Sequence, residues 1–278
     1  MTTRLHWVAL LLISAAVTGS SAQIRYARGQ NVAPAFEGWE QNPDGTYSFV
    51  FGYLNRNHEE ELDIPIGPNN TMDPGGDRGQ PTHFYPRRQR FVFKVTVPKD
   101  WDKQRRVVWT LTAQGRTDQA KGWLQPEWEL NDGVIAENSG GGVLVPNNQP
   151  PSITGSPAQT IQLGNTVTLT ASATDDGLPK RPPRPSSSAS NSDLNLSPSA
   201  SLNPAFRRQA GVQIKWILYR GPGKVQFDPD FAPEVYGKPA TLTSKVSFSA
   251  PGTYVLRAIA NDGQLFSTHE LTVTVDNR

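Results

Sequence analysis

The chain has 278 residues, 36% of them hydrophobic and 9% aromatic, which is enough for one large or two ordinary domains with sizeable cores. Its 24 glycines and 24 prolines, with few runs at helical spacing, point to short strands and many turns. A net charge of +2 argues against a general nucleic-acid binder, and the lack of cysteine excludes disulfides, thiolate zinc sites, a cysteine nucleophile and a lipid-modified N-terminal cysteine.

Residues 1–22 read as a secretory signal peptide. Arg4 supplies the positive start, Val8 to Val17 the apolar stretch, and Ser20, Ser21 and Ala22 the small residues before a cut ahead of Gln23. The alternative is a membrane anchor, but the run is short against the ~20 residues a span needs. With no other candidate span, the expected mature protein is soluble, secreted or periplasmic, and stabilised by core burial alone.

A first module is expected over 23–132. Tyr47, Phe49, Phe51 and Tyr53 share one face of a strand, and Asn42-Pro43-Asp44-Gly45 makes the turn that joins it to a preceding strand over Ala35 to Glu40. Leu62, Ile64 and Ile66 alternate after Glu59-Glu60-Glu61, an acidic triplet that is either a solvated edge or a metal site. The stretch from Ile66 to Arg88 has little regular pattern, so a loop of that length is functional or mobile. Asp73 and Asp77 flank Pro-Gly-Gly there, with His83 downstream; these are turn formers or, alternatively, calcium ligands. Asn69-Asn70-Thr71 is a glycosylation sequon, meaningful in a eukaryotic host. Phe91, Phe93, Val95 and Val97, then Val107, Trp109 and Leu111, predict two half-buried strands. Trp123, Leu124, Trp128 and Leu130 around Pro126 predict an edge strand. The segments GWEQNPDGTYSFVFGYLNRN, DIPIGPNN and DRGQPTHFYPRRQRFVFKV together resemble a module that recurs in secreted bacterial proteins, which implies an Ig-like fold and no known activity.

Residues 133–148 read as a Gly-rich linker, with Ser139-Gly140-Gly141-Gly142 as a flexible spacer. The second module, 149–278, contains TIQLGNTVTLTASATDDGLP, VQIKWILYRGPGKVQFDP, SAPGTYVLRAIANDG and LTVTV. Val246 to Val275 reads as three strands of one closing sheet, turned at Ala250-Pro251-Gly252 and at Asn261-Asp262-Gly263. Trp216, with Ile214 and Leu218, is the expected core strand, and Tyr254 stands where β-sandwiches keep a corner tyrosine. These motifs resemble the PKD-type Ig-like domains of egg-jelly-receptor-like and bacterial surface proteins. The resemblance covers about 100 of the last 130 residues. It implies spacing, adhesion, or protein and glycan contact, without catalysis. The chain departs from that pattern in an insertion over 179–211, where half of residues 186–201 are Ser and six prolines lie from Pro179 to Pro204. It is expected to be disordered and dispensable for folding, or else an arm that touches an anionic partner through its basic ends.

The fold class expected is therefore all-β, two tandem Ig-like sandwiches. No HExxH, GxSxG or Rossmann glycine pattern appears, so no catalytic residue is assigned. The expected function is a non-catalytic adhesion, interaction or structural module of the cell envelope. Its partner would be an envelope protein or glycan, with no nucleic acid and no transmembrane segment after cleavage. Two other functions compete. A carbohydrate-binding accessory protein would be favoured by a solvent-facing planar row among Trp39, Trp101, Trp123 and Trp128, and burial of all four would exclude it. A metal-dependent hydrolase would sit on the Asp73 to His83 loop. No cofactor is expected unless Asp175, Asp176 and Asp262 converge at one end of the second sandwich to hold calcium; otherwise each bonds its own turn backbone.

Overall fold

A computed structural model describes residues 26–180 and 211–277. The expected signal peptide and nearly all of the 179–211 insertion lie outside these residues. In the first unit the strands are β1 (Val32–Gln41), β2 (Tyr47–Asn55), β3 (Leu62–Asp63), β4 (Asn70–Asp73), β5 (His83–Phe84), β6 (Arg87–Val97), β7 (Val107–Ala113) and β8 (Arg116–Gly122). A short helix α1 (Asp132–Asn138) follows. The second unit holds β9 (Ser152–Gly155), β10 (Gln159–Gln162), β11 (Val167–Thr174), β12 (Val212–Arg220), β13 (Val225–Asp228), β14 (Phe231–Val235), β15 (Ala240–Phe248), β16 (Gly252–Asn261) and β17 (Phe266–Asp276). The protein is all-β, built of two packed β-sandwiches. Among the described residues no helix is long and apolar enough to cross a membrane.

In the first unit the sheet β1-β2-β6 faces the sheet β4-β7-β8, with β3 and β5 paired apart. Period-two alternation turns Phe49, Phe51, Phe93 and Val95 toward Met72, Trp109 and Leu111. Phe93 meets Trp109 edge-on at 4.9 Å, and the Trp109 indole N–H donates to Asn70 Oδ1 at 3.0 Å, so the ring is buried with its one polar group satisfied.

Two expectations are corrected here. Phe91 does not share the face of Phe93: the register jumps between Phe51↔Phe93 and Tyr53↔Gln89, so Gly52 opposes a bulge in which Phe91 takes φ +52°. The ring turns to the outer face, beside Val50 and Leu130. Residues 123–130 form no edge strand; Pro126–Trp128 is a 3-10 turn. The last strand is instead β8, RTDQAKG, which turns only Ala120 and Gly122 inward. The Phe36 ring lies on Gly122, where an added Cβ would stand 2.7 Å from it.

In the second unit the sheet β10-β17-β16-β12-β14 packs on β13-β15-β11-β9. Trp216, Ile214, Leu218, Leu169, Leu242, Val246 and Leu271 fill the space between them. β10 runs parallel to β17, and the Tyr254 hydroxyl donates to Ala250 O at 2.7 Å, which makes the tyrosine corner of an Ig-like sandwich. Val246 to Val275 is not one sheet: β15 belongs to the four-stranded sheet, and β16 and β17 to the five-stranded one. The Ala250-Pro251-Gly252 turn is a corner between sheets, and only Asn261-Asp262-Gly263 closes a hairpin.

The Trp216 ring is 1% exposed and stacks on Phe227, and its N–H finds no acceptor among the described residues. Trp216→Ala is therefore expected to destabilise by about 3–5 kcal/mol in a denaturant melt, a loss under about 1 kcal/mol being incompatible with this core. Trp216→Phe sacrifices no hydrogen bond and is expected to cost clearly less.

Candidate functional site

The richest cluster of polar side chains lies where the second unit meets the segment that enters it. Asp262 is fully buried at the tip of the β16–β17 hairpin. Its carboxylate accepts from Gln264 N at 2.6 Å, from Leu265 N at 2.7 Å and from Asn148 Nδ2 at 3.1 Å. Burial, joined by the charge of Asp175, lifts its pKa to about 6 despite those bonds. Burial, with the charge of Asp176, also raises Asp175. Asp175 accepts from Gly177 N, and Asp176 from Leu178 N and from Gln149 N. The side-chain oxygens Asn148 Oδ1 and Asp175 Oδ1 are buried without a donor. Each acid thus accepts from the backbone of its own turn. Among the described residues no group of three His, Cys, Asp or Glu side chains is placed to hold a metal ion. Asn148, which the sequence reading did not single out, turns its amide nitrogen to this cluster, Nδ2 donating to Asp262 Oδ2 and to Gln264 Oε1.

The presumed spacer is not free. Asn131 Oδ1 caps α1 by accepting from Val134 N at 3.0 Å. Beyond α1, Gln264 Nε2 donates to Val143 O at 2.7 Å and to Gly141 O at 3.2 Å, while Gln264 Oε1 accepts from Val145 N at 2.9 Å. A Cβ on Gly141 would stand 2.4 Å from Gly263 O, so this glycine serves close backbone approach rather than flexibility.

The irregular stretch 66–88 is likewise held. Asn70 and Gln80 are fully buried, Asn70 Nδ2 donating to Ile64 O and Pro81 O. Asp77 pairs with the Arg220 guanidinium at 2.7 Å, Arg220 Nε donates to Gln80 O, and the Tyr219 hydroxyl donates to Gly79 O. Tyr85 OH accepts from Leu218 N at 2.9 Å. The loop is the surface on which the second unit docks. His83 lies apart from Asp77, its Nδ1 2.7 Å from Asp63 and its Nε2 3.2 Å from Glu61. Asp77 and His83, both on the loop named for a metal-dependent hydrolase, therefore engage different partners.

None of the four tryptophans in question is fully buried, Trp39, Trp101 and Trp123 being half-buried and Trp128 exposed. Trp101 carries Arg105 over its ring at 4.3 Å, and Trp39 Nε1 donates to Gln125 O at 2.7 Å. Trp123 and Trp128 both lie nearly parallel to Phe36, at 19° and 12°, with Trp128 41% exposed.

No family model matches the chain, and no curated protein matches it. Among solved structures it is similar to the PKD domain of human KIAA0319, at 16% identity and a TM-score of 0.23 over 49% of this chain and 90% of that one. It is also similar to titin Z1Z2 in complex with telethonin, at 12% identity and 0.23 over 88% and 98%. Domains 4 and 5 of the S-layer protein SbsC give 8% identity and 0.27 over 88% and 97%. At that level of overlap nothing about activity, ligand or partner passes from these proteins to this chain.

His83 is the group expected to tie stability to pH. Burial lowers its pKa, but the bonds to Asp63 and Glu61 outweigh that and lift it from 6.5 to about 9. Because the folded value lies above the unfolded one, its contribution is complete below pH 6.5 and is lost as pH rises through about 9. With both carboxylates half-exposed, the effect is about 1–2 kcal/mol. Between pH about 7 and about 9.5 the wild type is expected to lose that much more stability than His83→Gln. Parallel curves for the two proteins would contradict the assignment.

Proposed function

We propose that this chain is a non-catalytic, exported β-sandwich protein of the cell envelope, secreted or periplasmic, acting as an adhesion, interaction or structural module. In this reading residues 1–22 are removed, 23–132 and 149–278 are the two modules, and 133–148 is the joint between them. Its partner is an envelope protein or a glycan. The observation that supports it most is the fate of the chemically able side chains. Asp77, His83, Glu61 and Asp63 are all engaged in ion pairs that dock or brace the two sandwiches. A metal-dependent hydrolase on the Asp73 to His83 loop is correspondingly the weaker reading. The test is cell fractionation with N-terminal sequencing. A mature chain starting near Gln23 in envelope or medium is expected, and intact Met1 on the exported protein would refute the export it assumes.

Calcium at Asp175, Asp176 and Asp262 belongs to the same proposal, as the alternative to acids that serve only their own turns. The support is chemical: two buried oxygens lack donors, and burial, with the nearby charge of Asp175, raises the pKa of Asp262, a cost that a hard cation would relieve. Protonation of Asp262 below pH about 6 would compete with the metal. Calorimetric titration is expected to show calcium heat at pH about 7.5 that fades toward pH about 5, and an absence of heat at ~1 mM metal would dismiss it.

A further inference from the structure

We infer that Trp128 is the stacking platform of a binding site for a neutral glycan. The inference rests on the reading of the chain as an interaction module and names one partner class for it. Trp128 closes the 3-10 turn Pro126–Trp128 with 41% of its surface exposed, one of few large apolar side chains so placed among the described residues. It is held rather than loose. Its ring stacks on Phe36 at 5.3 Å and 12°, and Phe36 is braced in turn by an edge contact to Phe49 at 6.0 Å. The backbone on either side is tied to β1, with Trp39 Nε1 donating to Gln125 O and Leu130 N to Trp39 O. Gly38 makes the approach possible: a Cβ there would stand 2.4 Å from Trp128 O. Trp123 continues the aromatic group on Phe36 at 19°, with the Arg106 guanidinium 5.3 Å over its ring. The result is a rigid, partly open indole whose ordering cost is met on folding, which is the preorganisation that favours binding.

The size and rim of the site select the ligand. A stable protein partner needs roughly 800 Å² of buried surface on each side, far more than one indole offers. A pyranose ring matches it, since one face of the sugar presents C–H groups to an aromatic ring while hydroxyls ring its edge. Glu127 and Glu129 flank Trp128 in sequence and are exposed, which makes the charge of this turn negative. The same two carboxylates disfavour an acidic sugar.

The test uses the full mature protein, retained on insoluble cellulose and chitin as neutral probes and on calcium alginate beads as an acidic one. Retention on a neutral matrix is expected. Trp128→Ala should weaken it by about thirtyfold, as loss of an interface aromatic does, while Trp128→Phe should retain part and Trp101→Ala all of it. Because Trp128 is partly exposed, the Trp128→Ala protein is expected to unfold at nearly the wild-type temperature, which separates lost binding from lost fold. Unchanged retention of Trp128→Ala, retention on alginate alone, or no retention on either neutral matrix would overturn the site. The envelope assignment stands or falls separately, on fractionation.

Discussion

The Arg257 guanidinium is the charge around which the two sandwiches are joined. It lies on the outer face of β16, 7% exposed, 3.6 Å over the Tyr219 ring. It bonds Glu270 Oε1 through Nε and Nη2, and Val92 O of the other unit through Nη1. A buried cation is tolerable only when its donors are matched, and here a carboxylate, a carbonyl and an aromatic face match them. Around this point Tyr219 and Val255 enter the core of the first unit, and Phe266 packs with Val50, Phe91 and Leu130. Faces that would be wet in separate sandwiches become interior. The β6 edge is treated by the same device, since Arg257 and Arg78 donate to Val92 O and Thr96 O along it. Two arginines thus occupy backbone groups that would otherwise template a foreign strand.

How much of this was legible depends on whether a contact is local. Alternation placed Phe49, Phe51, Val107, Trp109, Trp216, Leu271 and Val273 correctly, because period two reports one buried face without any knowledge of the partner strand. β8 was invisible because a neighbour dictates its composition: Gly122 is required by the Phe36 ring, and the remaining outward residues are polar. Phe91 failed for the opposite reason. The alternation there was clean, but the bulge opposite Gly52 inverts it, and a bulge has no signature until the register is known. The corner at Ala250-Pro251-Gly252 uses the same turn residues as a hairpin, so only the pairing of β15 with β11 reveals the sheet change.

The candidate site divides along the same line. Asp175, Asp176 and Asp262 were legible as turn acids, and each does bond the backbone two residues ahead. Asn148 was not, because its bond to Asp262 spans 114 residues. Glycine at 141 and glutamine at 264 read as spacer and turn, yet together they seat the joint against the hairpin tip. The long 66–88 stretch carried the right signal of importance and the wrong kind. Its length and irregularity marked a segment with a task, and the task is docking.

A chain without disulfides meets a size problem that this union addresses. A sandwich of about 100 residues buries a smaller share of its surface than a larger body does, and secreted proteins of that size commonly add covalent staples. Fixing two sandwiches side by side through Arg257, Tyr219 and the Asp77–Arg220 pair gives them one shared, larger interior. Interfaces between domains of one chain otherwise resemble transient contacts and allow relative motion. Here the joint itself is bonded at Gln264 and Asp262, so the path between the units is held as firmly as their contact faces. The Asp77–Arg220 pair adds a second point of attachment beside Arg257, so charge holds the two bodies at more than one place.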